Sequence, residues 1–315
     1  MTADAAQGLA IPGLHHVTAI SGPPQANLDF YVQTMRRRLV KRTVNFDDPG
    51  TYHLYYGNAG AEPGSILTFF PFPDAKPGRA GPGMASAFAY AVPDLAEWSG
   101  RLAAAGAIVE RPWTRFGERG AALSDPDRLR VELIEGGARD GAFHSVTLWV
   151  VEEAEPTAHV LDLLGYVAAG EENAPTGSAG GAERRLRFQA PGRSRGAVVD
   201  LVTTDGDAKG RPGAGRVHHV AFRAPMPTDL GAWRERLAAA GLRVTPVINR
   251  QYFDAIYFRT PGGILFEIAT DPPGFEVDEA PERLGEALRL PPRYEPMRVR
   301  IEATLPPLVV PRSPE

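Results

Sequence analysis

The chain has 315 residues, with 34 Lys+Arg against 38 Asp+Glu and a hydrophobic fraction of 43%. A formal net charge of −4 excludes the basic footprint of a nucleic-acid or anionic-membrane binder, and this apolar content supports a sizeable core rather than a disordered chain. Cysteine is absent, which excludes a disulfide scaffold, thiolate metal sites and Cys nucleophiles, so any metal must be held by nitrogen and oxygen.

The first predicted strand is LHHVTAI at 14–20, followed by an amphipathic stretch near 26–38 and an apolar strand at 66–72. A second unit carries the helix DLAEWSGRLAAAG at 94–106 and closes on a strand at 129–134. The third opens on FHSVTLW at 143–149, continues with an amphipathic stretch near 157–167 and a Gly/Ala-rich loop at 170–184, and closes at 197–203. The fourth opens around His218-His219, repeats the helix as DLGAWRERLAAAG at 229–241, and closes at 264–269. No apolar run reaches the roughly 20 residues of a membrane span, and MTADAAQGLAIPG lacks the basic start and apolar stretch of a signal peptide. A soluble cytoplasmic protein is expected.

The two helices agree at nine of thirteen positions at an offset of 135, and the offset carries Arg115 onto Arg250, Pro126 onto Pro261 and Glu132 onto Glu267. The openings at 14–20 and 143–149 match more weakly at an offset of 129. This predicts an α+β fold of four βαβββ modules at 14–75, 84–136, 142–204 and 215–271, with a Pro-rich, charged tail at 272–315 packing irregularly along the surface. One such module cannot cover its own apolar face, so the modules pair into two pseudo-barrel halves.

Two modules open on a His doublet, His15-His16 and His218-His219. Strict strand alternation puts His16 with Thr18 on the more polar face and His15 with Val17 and Ala19 on the other. It likewise sets His219 apart from His218, Val220 and Phe222. The second His of each doublet therefore faces a site. Glu267 lies in the apolar strand GGILFEIA, where a buried carboxylate needs a cation, a proton or a metal. Pairing module one with four, and two with three, collects His16, His219 and Glu267, with Phe69 at the fourth corner. Pairing in chain order gives one His per site. Two His and one carboxylate with open positions form the facial triad of non-haem Fe(II) oxygenases, and Mn(II) accepts the same donors.

The strings LHHVTAISG, RFGERG and NRQYFDAIYFRTPGGILFE, with the tail PGFEVDEAPERLG, resemble the vicinal-oxygen-chelate superfamily, and within it the hydroquinone-type ring-cleaving dioxygenases. The resemblance covers nearly the whole chain. It implies that His16, His219 and Glu267 bind Fe(II) with module one paired to module four. It further implies that His15, Thr18, His218, Arg250 and Tyr257 surround the substrate oxygens. Arg250 also reads as a surface residue paired with Asp254, and Tyr257 as strand packing. The expected partners are a small aromatic diol and O2, with no nucleic acid and no membrane. The sequence leaves open a homo-oligomer, the choice between hydroquinone and catechol, and the ring substituents. A glyoxalase-like metal isomerase and a metal-free small-molecule binding protein are the rival readings on the same fold.

Overall fold

Each predicted unit opens on a strand whose residues alternate between two faces, and its helix then covers one of them. In the computed structural model, the described residues are 9–137, 141–151, 153–175, 182–192, 195–204, 208–224 and 230–311. The first unit holds β1 (Leu14–Ser21), α1 (Pro24–Asp29), β2 (Arg38–Asn45), β3 (Asp48–Gly57) and β4 (Ile66–Pro71). The second holds β5 (Met84–Val92), α2 (Leu95–Ala104), β6 (Trp113–Arg115), β7 (Glu118–Ser124) and β8 (Arg130–Glu135). The third holds β9 (Phe143–Trp149), α3 (Glu155–Leu163), β10 (Val167–Pro175), β11 (Ala182–Gln189) and β12 (Val198–Thr204). The fourth holds β13 (Arg216–Ala224), α4 (Leu230–Ala239), β14 (Ile248–Asn249), β15 (Phe253–Arg259) and β16 (Leu265–Pro273).

These strands form two eight-stranded sheets, ordered β14-β15-β16-β13-β1-β4-β3-β2 and β10-β11-β12-β9-β5-β8-β7-β6. The antiparallel pairs β1–β13 and β5–β9 sit at the two centres. One apolar core runs through both sheets and takes in Val17, Phe69 and Phe222 together with Leu28, Trp233 and Leu237 from the helical segments. Burying an apolar side chain of this size contributes about 1.5–3 kcal/mol. The repeated helix is bounded by identifiable signals. The Asp94 carboxylate accepts from the Glu97 amide at 2.8 Å, and Gly106 (φ 86°) and Gly241 (φ 84°) supply the left-handed residue after α2 and α4.

Three local expectations change. The amphipathic stretch near 26–38 is α1 followed by a π-helical turn over Phe30–Thr34, and Arg38 already belongs to β2. The expected loop at 170–184 is largely a hairpin arm. β10 and β11 reach into it from both sides, and only 176–181 lie outside the described residues. Cross-strand charge compensates for the weak strand formers there, since Glu171 pairs with Arg184 at 2.8 Å. The tail contains three short 3-10 turns and a helix, α5 (Arg298–Thr304). It is fastened to the first unit through Lys41, whose side chain is fully buried, contacting Asp278 at 2.6 Å and Glu279 at 2.5 Å.

Candidate metal centre

The two His doublets lie on the central strands β1 and β13, and both strands carry a bulge there. Leu14 faces Phe222 while His16 faces Ala221, which leaves His15 as an extra residue. Thr18 faces His219 while Ala19 faces Val217, which leaves His218 as the extra residue on the other strand. A bulge re-aims side chains that period-two alternation would send to opposite faces. The expectation that His218 turns away from the site is therefore corrected, while His15 packs beside His16 without lining the cavity. His15 Nδ1 lies 2.9 Å from His16 Nδ1, and His218 Nδ1 lies 2.8 Å from His219 Nδ1. Phe253 packs against both rings of the first doublet, with centroids 5.2 and 5.1 Å away. Burial pushes His15 down to about 3, so it stays neutral and can accept a hydrogen from His16.

These Nδ1 contacts leave both Nε2 atoms facing a common point. His16 Nε2 and His219 Nε2 are 3.3 Å apart, and Glu267 Oε2 lies 3.3 Å from the first and 2.9 Å from the second. All three side chains are buried. Burial pushes the Glu267 carboxyl up, but the two imidazoles outweigh it and hold it well below the usual carboxylate range. Apart from the two imidazoles, its Oε2 has no hydrogen-bond partner. A charged oxygen this deep costs far too much without compensation. A cation at the centre of His16, His219 and Glu267 would supply it, and the donor set fits a divalent metal.

The other carboxylate oxygen is tied down. Tyr257 OH donates to Glu267 Oε1 at 3.0 Å, and Arg250 Nε donates to Tyr257 OH at 3.0 Å. Arg250 Nη1 pairs with Asp47 at 3.1 Å, not with Asp254, which instead accepts from Asn249. Burial beside Glu267 raises the Tyr257 phenol well above its ordinary range, so it remains a donor. Outer contacts of this kind orient a ligand and tune its basicity.

The fourth corner belongs to Thr68 rather than Phe69. Strand register pairs Thr18 with Thr68 as it pairs Ala221 with Glu267, and Tyr55 with Thr68 as it pairs Tyr257 with Glu267. Phe69 points to the helical side, 4.8 Å from the Tyr31 ring. Thr68 Oγ1 lies 2.8 Å from Thr18 Oγ1 and 2.8 Å from His53 Nε2, and His53 Nδ1 lies 2.9 Å from Tyr55 OH. His53 and Tyr55 line the candidate site and are overlooked by repeat matching, because no other module has a His at the position of His53. The available signal was alternation, which puts His53 and Tyr55 on one face of β3.

A cavity of about 520 Å³ opens onto this floor. His16, His219 and Glu267 line it, with His53, His218 and Arg250, and apolar walls come from Ile20, Phe46, Phe70, Phe72, Ile248 and Leu265. The volume and the aromatic walls suit a small ring.

The corresponding positions of the other sheet hold no comparable set. Ala87 and Ser145 replace the two histidines, and Glu132 and Asp200 are consumed by arginines. Arg130 and Arg115 reach Glu132 at 2.9 and 3.1 Å, while Arg187 reaches Asp200 at 2.8 Å. Burial raises the Glu132 carboxyl, but Arg115, Arg130 and Arg185 outweigh it and keep it ionised.

Comparison with known proteins agrees with this architecture. A family model described as the glyoxalase/bleomycin resistance protein/dioxygenase superfamily matches residues 13–133 and 161–268. The protein of Bacillus subtilis (strain 168) named "Putative ring-cleaving dioxygenase MhqO" is 43% identical, over 95% of this chain and 97% of its own length. The chlorohydroquinone/hydroquinone 1,2-dioxygenase of Sphingobium indicum is 32% identical, over 94% of this chain and 96% of its own. A crystal structure from Bacillus subtilis, described as a "putative dioxygenase", superposes with a TM-score of 0.84 at 42% identity, over 96% of this chain and 99% of that one. With two glyoxalase-type sheets, and with relatives aligned over nearly its full length, the chain belongs to the glyoxalase/bleomycin resistance protein/dioxygenase superfamily.

Proposed function

We propose that the protein is a ring-cleaving dioxygenase that inserts O2 into a hydroquinone-type aromatic diol, with Fe(II) held by His16, His219 and Glu267. The observation that carries this reading is the buried Glu267 Oε2, met only by two imidazole Nε2 atoms that converge on one point. The names of the aligned relatives support the same chemistry. Fe(II) at this centre would acidify a bound ring oxygen, bring O2 next to it and pass electrons between the two. Mn(II) fits the same donors.

The chain's own groups have separable tasks. His15 and His218 accept from the Nδ1 hydrogens of His16 and His219 and so fix the tautomers that leave Nε2 free. Arg250 and Tyr257 hold Glu267 Oε1 and keep its Oε2 directed inward. The apolar walls orient the ring and exclude water. His218 is exposed at the cavity wall, so it is the group placed to hold or move a proton at its outer nitrogen. A glyoxalase-like isomerase needs a fourth, usually carboxylate, ligand, and Thr68 offers only a hydroxyl already engaged by two neighbours. A metal-free binding protein leaves Glu267 Oε2 facing only the two imidazoles. No helix among the described residues is long and apolar enough to cross a membrane.

Anaerobic iron loading followed by oxygen uptake over a panel of hydroquinones and catechols tests the reading. Uptake is expected only with the loaded enzyme and should be largest with hydroquinones; equal rates in chelated and loaded protein would refute it. Glu132→Ala serves as an internal comparison. It should leave iron stoichiometry unchanged while lowering stability by about 1–3 kcal/mol, because Arg115 loses its carboxylate and Arg130 keeps only Glu110. A loss of iron in that variant would place the metal in the wrong sheet.

A further inference from the structure

A second hollow, of about 860 Å³, opens where the first two units meet and shares no lining residue with the cavity above Glu267. Arg36, Arg37 and Arg38 line it from the turn into β2, and Trp98 and Arg101 line it from α2. Arg37 is 5% exposed and donates through Nη2 to the Gly141 carbonyl. Its guanidinium lies 4.0 Å over the Tyr90 ring of β5, and its Nε has no hydrogen-bond partner. Gly141 has a φ of 70°, and a side chain there would collide with this guanidinium.

Arg101 donates to the Thr34 carbonyl at 3.1 Å and stacks 4.3 Å over the Trp98 ring, while its Nη2 has no partner. Arg38 donates to the carbonyls of Ala59 and Pro281. Among the described residues none of these four arginines forms an ion pair, whereas the buried Arg185 and Arg187 share Asp200. Glu62, Glu97 and Glu282 also line the hollow, but Glu62 is engaged by Arg195 at 2.9 Å. Burial and the neighbouring Arg36 charge lower the Arg101 guanidinium below its ordinary range, and Glu97 opposes them without cancelling them. Buried charge without an opposite partner is costly, so the hollow lacks an anion.

We infer that this hollow is an anion site that takes a phosphate group, free or as a monoester, among Arg36, Arg37 and Arg101. A phosphate carries several acceptor oxygens and close to two negative charges, which suits guanidinium forks converging from different sides. Arg37 is fixed at the base by Tyr90 and Gly141, and Arg36 is exposed at the rim, where its long side chain can close over the ligand. Arg36 and Arg37 come from the first unit and Arg101 from the second. A bound phosphate would therefore tie the two units together beside the existing Arg101–Thr34 contact. The site takes no part in ring cleavage; its effect is on the stability of the contact between the two sheets.

The probes are inorganic phosphate and phenyl phosphate, titrated into the iron-loaded protein at constant ionic strength with the melting temperature as readout. A ligand that binds only the folded protein raises that temperature. The wild type should respond to phosphate and not to chloride at equal ionic strength. The double variant Arg36→Gln with Arg101→Gln should need about tenfold more phosphate for the same rise, since it loses two charged donors. Neither position is buried, so the variant is expected to fold, and its iron-dependent melting shift should persist. Arg234→Gln, at an exposed position on α4, should keep the wild-type response. A stronger response to phenyl phosphate would assign the site to a monoester, and an equal or weaker one to the free ion. No rise in the wild type, or an equal rise with chloride, overturns the site. So does an unchanged phosphate response in the double variant, which would place the anion elsewhere, as at the metal.

Discussion

Glu267→Ala protein is expected to lose stoichiometric iron and to consume oxygen at a rate reduced by far more than 100-fold. Losing an outer partner of a metal ligand typically costs about 10–100-fold, and in the proposed centre Glu267 would contribute one of three protein ligand atoms and all of their negative charge. The same variant gives a readout independent of turnover. A metal that binds only the folded protein stabilises it by mass action, by about 4 kcal/mol at a thousandfold excess over Kd. The wild type should therefore melt at a higher temperature after metal loading, and Glu267→Ala should not. Arg250→Lys is the milder counterpart. An ammonium lacks the fork that contacts Tyr257 and Asp47 together, so its rate should fall while iron stays bound. An unchanged metal-dependent melting shift in Glu267→Ala would remove this carboxylate from the centre.

How far the sequence discloses this site depends on how local each determinant is. The candidate ligands His16, His219 and Glu267 stand out because the 135-residue offset and the doublets single out their positions and the chemistry supplies the rest. Period-two alternation fails at His15 and His218, because a bulge depends on the register of two strands about 200 residues apart, β1 and β13. The same limitation separates Phe69 from Thr68. Reading the fourth corner from a single apolar run misses it by one residue, and one residue on a strand moves a side chain to the opposite face. His53 has no repeat mate, and its meaning appears only when β3 and β4 pair. The hairpin arm within 170–184 was hidden by a composition that reads as loop, since its cross-strand charge pairs form only after folding. Paired arginines account for the silence of Glu132, a contrast already suggested by the charged strand around it.

Lys41→Met is expected to destabilise the fold by about 3–5 kcal/mol, the usual cost of removing one partner of a buried ion pair. Lys41 and Glu279 are both buried, and Glu279 also accepts from the Gly285 amide at 3.4 Å, so its carboxylate has little room to turn toward water. Asp278 is additionally held by the Tyr252 hydroxyl at 3.1 Å. The contact fastens the tail to the first unit. Further along, Arg293 and the Tyr294 hydroxyl both donate to the Phe46 carbonyl at 2.7 Å. Phe46 lines the candidate cavity, and the adjacent Asp47 holds Arg250. Loosening the tail should therefore loosen one cavity wall and the guanidinium that steadies Tyr257, and KM should rise before iron is lost. Urea midpoints and limited proteolysis of the tail measure the first effect, and steady-state kinetics the second. The double variant Lys41→Met with Glu279→Gln should recover part of the lost stability, because the buried carboxylate that Lys41→Met leaves with only Arg289, at 3.5 Å, is then neutral. Equal losses in the single and double variants would show that the tail is held by its apolar contacts, with Lys41 filling space rather than neutralising charge.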